Sequence, residues 1–156
     1  MINIRPAKIK DLLGVVKMRL ALSKYHEAFD NDFRVNKNAK KYYISLYKKY
    51  IYSSKKKLLV VESKDKLVGF GSAHIAKKEP ISRDKEFGHI RDMYIDKKFR
   101  RQGIAGEILN IFYNWFKEKN IKYIDLKVVC ANKLGRNAWT KYGFLDYAII
   151  KRKLLK

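Results

Sequence analysis

The chain has 156 residues, 47% of them hydrophobic, which suits one domain able to bury a sizeable core. It contains no run of eighteen apolar residues, no apolar leader core after Met1 and one cysteine, Cys130. A membrane-spanning helix, a secretory signal, an internal disulfide and a cysteine metal cluster are therefore not expected, and a cytoplasmic location is the simplest reading. The 37 lysines and arginines outnumber the 15 acids, giving a net charge of +22. They are scattered with no basic tail, as a lysine-rich composition alone would leave them, so nucleic acid is disfavoured as a partner and a membrane surface is not expected.

In chain order, residues 2–5 read as a short edge strand. A helix opens between Pro6 and Asp11 and continues through Leu12, Val16, Met18 and Leu22. Tyr25–Asn38 reads as loop or irregular helix. Ala39–Tyr52 carries a tyrosine-rich helical stripe, better explained by core packing than by base stacking. Lys57–Glu62 and Leu67–Ala76 flank a polar turn as a β-hairpin, and Glu86–Ile95 is a further strand. Gly103–Asn120 is the strongest helix, with Ile104, Ile108, Ile111, Phe112 and Trp115 on one face. Lys122–Val129 reads as a strand, Leu134–Tyr142 as a helix and Phe144–Leu154 as a last strand or strand pair. Cys130, at a strand end, is expected to be buried. There are no repeats or linkers, and the order suits one α+β domain over 1–156, a mixed sheet flanked by helices.

The informative segment is Met93-Tyr94-Ile95 followed by a basic turn, glycine and the strongest helix. A helix start has unpaired N–H groups and a positive dipole end, which together favour an anion. Gly103 lets backbone approach that anion, small residues at 105 and 106 extend the access, and Arg100 and Arg101 add charge. The loop lacks the Gly-x-Gly-x-x-Gly of dinucleotide folds and the Gly-Lys-Ser/Thr of P-loops. His26 and His74 have no partners at metal-binding spacing, and no metal is expected.

The string Arg100-x-x-Gly103-x-Ala105, placed after Ile95, resembles motif A of the GNAT N-acetyltransferase superfamily, which holds the pyrophosphate of acetyl-CoA. Ile4-Arg5-Pro6-Ala7 with Asp11, Leu67-Val68-Gly69-Phe70, and Asn132 through Gly143-Phe144 (similar to motif B) extend the resemblance over nearly the whole chain. It implies a three-layer α/β/α fold with about four helices and a mostly antiparallel mixed sheet containing one splayed parallel strand pair. It also implies direct acyl transfer from acetyl-CoA to a primary amine on a small molecule or peptide, and leaves a homodimer open. Met93, Tyr94 and Ile95 would meet the pantetheine arm. Arg100, Arg101, Gln102, Gly103, Ile104, Ala105 and Gly106 would hold the diphosphate, and Asn132 would contact the coenzyme or cap its helix.

The family's base position falls on His89, whose imidazole suits proton acceptance near neutral pH. Arg91 should share its face by strand alternation and could bind an acidic group of the acceptor; other members carry glutamate there. Asp92, the reserve base, would face away unless a bulge shifts parity. Trp139 stands where the family often has a catalytic tyrosine. An indole cannot release a proton at useful pH, so Tyr142 becomes the candidate helper and Trp139 a wall for the pantetheine arm. Glu27, Phe29 and Asp30 could receive a cationic, partly apolar acceptor. A non-catalytic acyl-CoA sensor and a basic nucleic-acid-binding domain are the alternative functions.

Overall fold

Strands β1 (Ile2–Pro6), β2 (Lys56–Ser63), β3 (Lys66–Lys77), β4 (Glu86–Ile95) and β5 (Ile124–Leu126), with continuous runs of β2 and β3 buried on both faces, lie side by side in chain order in the computed structural model, which describes residues 1–155. Pairing is antiparallel from β1 to β4 and parallel between β4 and β5. The β2–β3 turn is made by Lys64 and Asp65, both at positive φ, whose local twist matches that of a tight hairpin.

Helices α1 (Leu12–Glu27) and α2 (Ala39–Tyr52) cover one face of the sheet, and α3 (Ile104–Glu118) covers the other. Through Trp139, α4 (Lys133–Lys141) joins the α3 side. This is the three-layer mixed fold that the sequence implies. On α2, Tyr43, Tyr47 and Tyr50 lie one helical turn apart and all are buried. A buried tyrosine needs a partner for its hydroxyl, and each has one: Ser23 Oγ at 3.3 Å, Asp92 Oδ2 at 2.8 Å and His74 Nδ1 at 2.8 Å. The tyrosine stripe is therefore core, as its period indicates. Against the other face α3 packs Ile108, Leu109, Phe112 and Phe116, all nearly inaccessible. Its close approach requires glycine beneath it. A Cβ on Gly71 would come within 2.8 Å of Ile108, and one on Gly88 within 2.7 Å of Phe116.

Arg5 and Asp11 of the opening motif form a clasp between β1 and α1. Arg5 donates to both Asp11 oxygens, at 2.7 and 3.1 Å, and through Nε to Glu62 at 3.0 Å. The backbone N–H of Lys8 donates to Asp11 Oδ2 at 2.7 Å. These bonds, chiefly those from Arg5, hold the Asp11 carboxyl below its ordinary pKa.

Three expectations are corrected. The strand expected over Lys122–Val129 shrinks to Ile124–Leu126, because only three residues pair with β4 before the strands part. Cys130 consequently lies in the turn before α4 and is exposed. The expected terminal strand does not form among the described residues. The segment after Phe144 is exposed; within it Asp146 pairs with Arg136 at 2.9 Å, and Arg152 reaches Asp30 at 2.9 Å and Asp32 at 2.6 Å.

Two stability measurements follow from these contacts. Arg5→Ala leaves the nearly buried Asp11 without its counter-ion and is expected to lower unfolding free energy by about 2–3 kcal/mol in urea titrations; a change below about 0.5 kcal/mol contradicts the clasp. Burial, followed by the neighbouring His89, pushes His74 down from 6.5 to about 4, and burial lowers His26 in the same direction. The unfolded chain then binds more protons in this window, so stability is held above about pH 6.5 and lost as pH falls towards 4. For half-buried His74 this is ~1–2 kcal/mol after allowing for solvent screening. His74→Asn, which keeps an acceptor for Tyr50, should flatten the fall; an equally steep fall in that variant contradicts the assignment.

Candidate functional site

At the end of β4 the chain turns through Lys97–Phe99 and enters α3. Asp96 accepts from the N–H of Lys98, Arg100 Nε donates to the Ile95 carbonyl at 2.9 Å, and Gln102 Nε2 donates to the Lys98 carbonyl at 3.3 Å. These side chains hold the turn together from within. Arg101 and Gly103 both sit in the left-handed region, at φ 64° and 79°, and Gly103 is the residue before the first helical turn. Glycine is required at 103 for its backbone, and the space beside it is open: a Cβ there would meet nothing within 4 Å.

The consequence lies in the N–H groups. Among the described residues, no backbone or side-chain group accepts from the amides of 101 to 106; the first intrahelical bond is Glu107 N–H to the Gly103 carbonyl at 3.1 Å. Six consecutive donors at the positive end of a 15-residue helix, beside Arg100 and Arg101, fit a multiply charged anion such as a diphosphate. Ile104 is buried and anchors the turn in the core. Tyr142 packs beside the first helical turn, its ring 3.6 Å from where a Gly106 Cβ would stand.

The second feature is the parting of β4 and β5. They pair at Gly88–Ile124, His89–Asp125 and Ile90–Leu126 and nowhere beyond, so Arg91 to Ile95 present an edge that β5 does not cover. Arg91 is an extra residue in β4: Ile90 opposes Ala73 and Asp92 opposes Ser72. This bulge shifts parity, so Asp92 faces the same side as His89, against α1 and α2. Arg91 also lies on that side, its Nε 3.5 Å from Asp92 Oδ2.

His89 lies one rung before the strands part. Its Nδ1 is 2.5 Å from Asp125 Oδ1, and its ring centroid is 5.1 Å from that of His74. A carboxylate only accepts, so Nδ1 carries the hydrogen and Nε2 is the free basic nitrogen. Asp125 was not visible in the sequence as a site residue. Its signal is the cross-strand register, which requires knowing how β5 lies against β4.

Asp92 is buried and heavily engaged. It accepts from Tyr47 Oη at 2.8 Å and Ser72 Oγ at 3.1 Å, and its Oδ1 lies 2.8 Å from Arg19 Nε. That Arg19 N–H is not aimed at the carboxylate, so the contact is an ion pair without a hydrogen bond, and Nε has no acceptor among the described residues. Burial, with the Asp92 charge next, raises the Tyr47 pKa, which keeps this hydroxyl a donor.

Other expected site residues are more dispersed. Asn132 is buried and caps α4 by accepting from Gly135 N–H at 2.9 Å. Trp139 is half-buried, edge-on to Phe144 at 5.5 Å. Phe29 stacks edge-on against Tyr25 at 5.1 Å, and Glu27 closes α1. The Asp30 carboxylate accepts from Asp32 N–H and shares Arg152 with Asp32, so this acid, expected to receive a cation, is already paired with one. The larger surface cavity, about 710 Å³, lies at the opposite end of β4, near Glu86 and Lys122. Another of about 440 Å³ lies between α1 and the β3–β4 pair, touching Gly14, Leu67 and Tyr94. Neither includes the free amides, which form an open donor surface; an anion site is set by donors more than by depth.

The acetyltransferase (GNAT) family model matches residues 22–144. Among solved structures, the BH1408 protein of Bacillus halodurans, as a tetramutant, superposes with a TM-score of 0.86 at 20% identity, covering 98% of this chain and 99% of that one. A "predicted acetyltransferase" of Clostridium acetobutylicum, solved with acetyl-CoA, gives 0.80 at 25% identity, covering 99% and 96%. Aminoglycoside 6'-N-acetyltransferase AAC(6')-Ih of Acinetobacter baumannii gives 0.78 at 13% identity over the full length of both chains. No curated protein matches by sequence. With motif, fold and family model in agreement, this chain belongs to the GNAT acetyltransferase family.

Proposed function

We propose that this chain is a single-domain N-acetyltransferase that moves an acetyl group from acetyl-CoA to a primary amine, by direct transfer in a ternary complex. The observation that carries the reading is the run of acceptor-free amides from 101 to 106, set at the end of a strand whose edge β5 leaves uncovered. The donor chemistry fits a diphosphate, with Arg100 and Arg101 supplying charge and Gly103 access. Met93, Tyr94 and Ile95 are the strand residues for the pantetheine arm, and Tyr142 packs beside the diphosphate turn. Acetyl-CoA, when bound, supplies the acyl group as an activated thioester.

The acceptor arrives as an ammonium and must lose a proton before its nitrogen can attack the thioester carbonyl. His89 takes that proton at Nε2, while Asp125 holds Nδ1–H and stabilises the resulting imidazolium. As the C–N bond forms the C–S bond breaks, and coenzyme A departs as the thiolate, with Tyr142 the candidate helper. Asp92, engaged by Tyr47, Ser72 and Arg19, anchors the bulge and is assigned no proton transfer. Arg91 is exposed beside it and is the group for an acidic substituent on the acceptor. Asn132 positions α4, and Trp139 closes the wall on the α3 side without acting as an acid. The exposed free thiol of Cys130 agrees with a reducing compartment such as the cytoplasm.

Gly103→Glu should abolish coenzyme binding in calorimetry, because it places a carboxylate and a strained backbone at the donor run; unchanged affinity contradicts the site. His89→Ala should lower kcat about a hundredfold across an amine panel, read by free-thiol release, while sparing coenzyme affinity. Asp125→Asn replaces the carboxylate that holds His89 Nδ1–H and fixes the ring's tautomer, so turnover should fall while coenzyme affinity is spared. Turnover unchanged in both variants removes the pair from the mechanism. Coenzyme binding without steady turnover on any amine would mark a sensor instead.

A further inference from the structure

In the sequence the cations are scattered; in the fold seven of them meet around one cleft. The cleft of about 710 Å³ lies between the β3–β4 connection and the turn from α3 to β5. Seven of its twelve lining residues are lysine or arginine, against 37 of 156 in the whole chain, so the concentration exceeds what composition supplies. Its two acids are both used: Glu86 pairs with Lys55 at 2.6 Å and Asp84 with Lys122 at 2.9 Å. Lys77, Lys78, Arg83, Lys85 and Lys119 have no acidic partner among the described residues. Glu79 and Glu118 lie near in sequence but outside the lining. Holding five uncompensated cations on one concave wall is electrostatically unfavourable for the chain alone, and a polyanion relieves it.

An aromatic ring stands at the edge of the cleft, outside its lining, and is joined to it through Lys78. Tyr123 is 60% exposed, and Lys78 Nζ lies over its ring at 5.1 Å from the centroid. A positive groove with an exposed ring is the pairing that takes single-stranded nucleic acid, phosphates on the cations and a base on the aromatic face. A membrane surface would call for a flat or convex basic face, and an acidic peptide would gain little from the ring. We propose that this cleft binds single-stranded nucleic acid, with Lys78, Arg83 and Lys85 on the phosphates and Tyr123 as the stacking platform. The cleft opens at Glu86 and the donor run follows Ile95, at opposite ends of a ten-residue strand about 30 Å long. Nucleic acid and coenzyme can therefore be held together, and this inference does not depend on the acetyltransferase chemistry.

The test is fluorescence anisotropy with a labelled single-stranded oligouridine of about 20 nucleotides, over a range of salt concentrations. The triple variant Lys78→Glu, Arg83→Glu, Lys85→Glu should lose at least about tenfold in affinity near 0.1 M salt, with a salt slope shallower by about 2. A control with the same net charge, Lys24→Glu, Lys37→Glu, Lys41→Glu, should lose less than about threefold, and Tyr123→Ala should weaken binding about fivefold or more. If the first triple fails to fold by circular dichroism, the corresponding glutamine triple carries the test. Equal losses in the two triples, no binding by the parent chain, or equal affinity for polyglutamate or for phosphatidylglycerol vesicles would overturn the proposal.

Discussion

The site depends on one constraint: β4 has to serve two neighbours that need it differently. On one side it pairs with β3 along its whole length; on the other, β5 accompanies it for three residues and then departs. The bulge at Arg91 lies one residue past the last shared rung, and bulges increase local twist, which helps turn the end of β4 away from β5. Beyond that point the strand has a free edge on one side and runs directly into the turn whose amides lack acceptors. Bulge, open edge and donor run follow one another along the single stretch from Arg91 to Gly106.

That arrangement needs a rigid support, and the support is polar as well as apolar. The tyrosines of α2 reach through the core to Ser23, Asp92 and His74, so helix and sheet are joined by hydroxyl bonds as well as by burial. Asp92, directly after the bulge, is where Tyr47 from α2, Arg19 from α1 and Ser72 from β3 converge. On the opposite face α3 presses on the sheet at Gly71 and Gly88, which fixes where its first turn, and hence the donor run, can stand. Arg5 and Asp11 of the opening motif are structural: they clasp β1 to α1.

Much of this was legible in the sequence because it is local. The span of α2, the hairpin, β4 and the helix behind Gly103 follow from period and turn residues, and the turn of free amides follows from glycine and small residues after a strand. What was not legible depends on neighbours. The shortness of β5 and the unpaired segment after Phe144 reflect where strands part and which ion pairs Arg136 and Arg152 find. The exposure of Cys130 follows from the same shortening of β5. The parity of Asp92 turns on one extra residue, and Asp125 gains its role only through the register that sets it opposite His89. The basic cleft is the extreme case, since its cations come from three separate stretches of chain.

The central claim is that the amides opening α3, together with the uncovered edge of β4, hold the coenzyme. Amide-resolved NMR during titration with coenzyme A addresses it residue by residue. The account predicts that the largest shifts fall on Arg101 to Gly106 and on Met93 to Ile95, with the amides of Lys77 to Lys85 little changed. Shifts concentrated at the basic cleft or along α1, with the donor run unmoved, would contradict it.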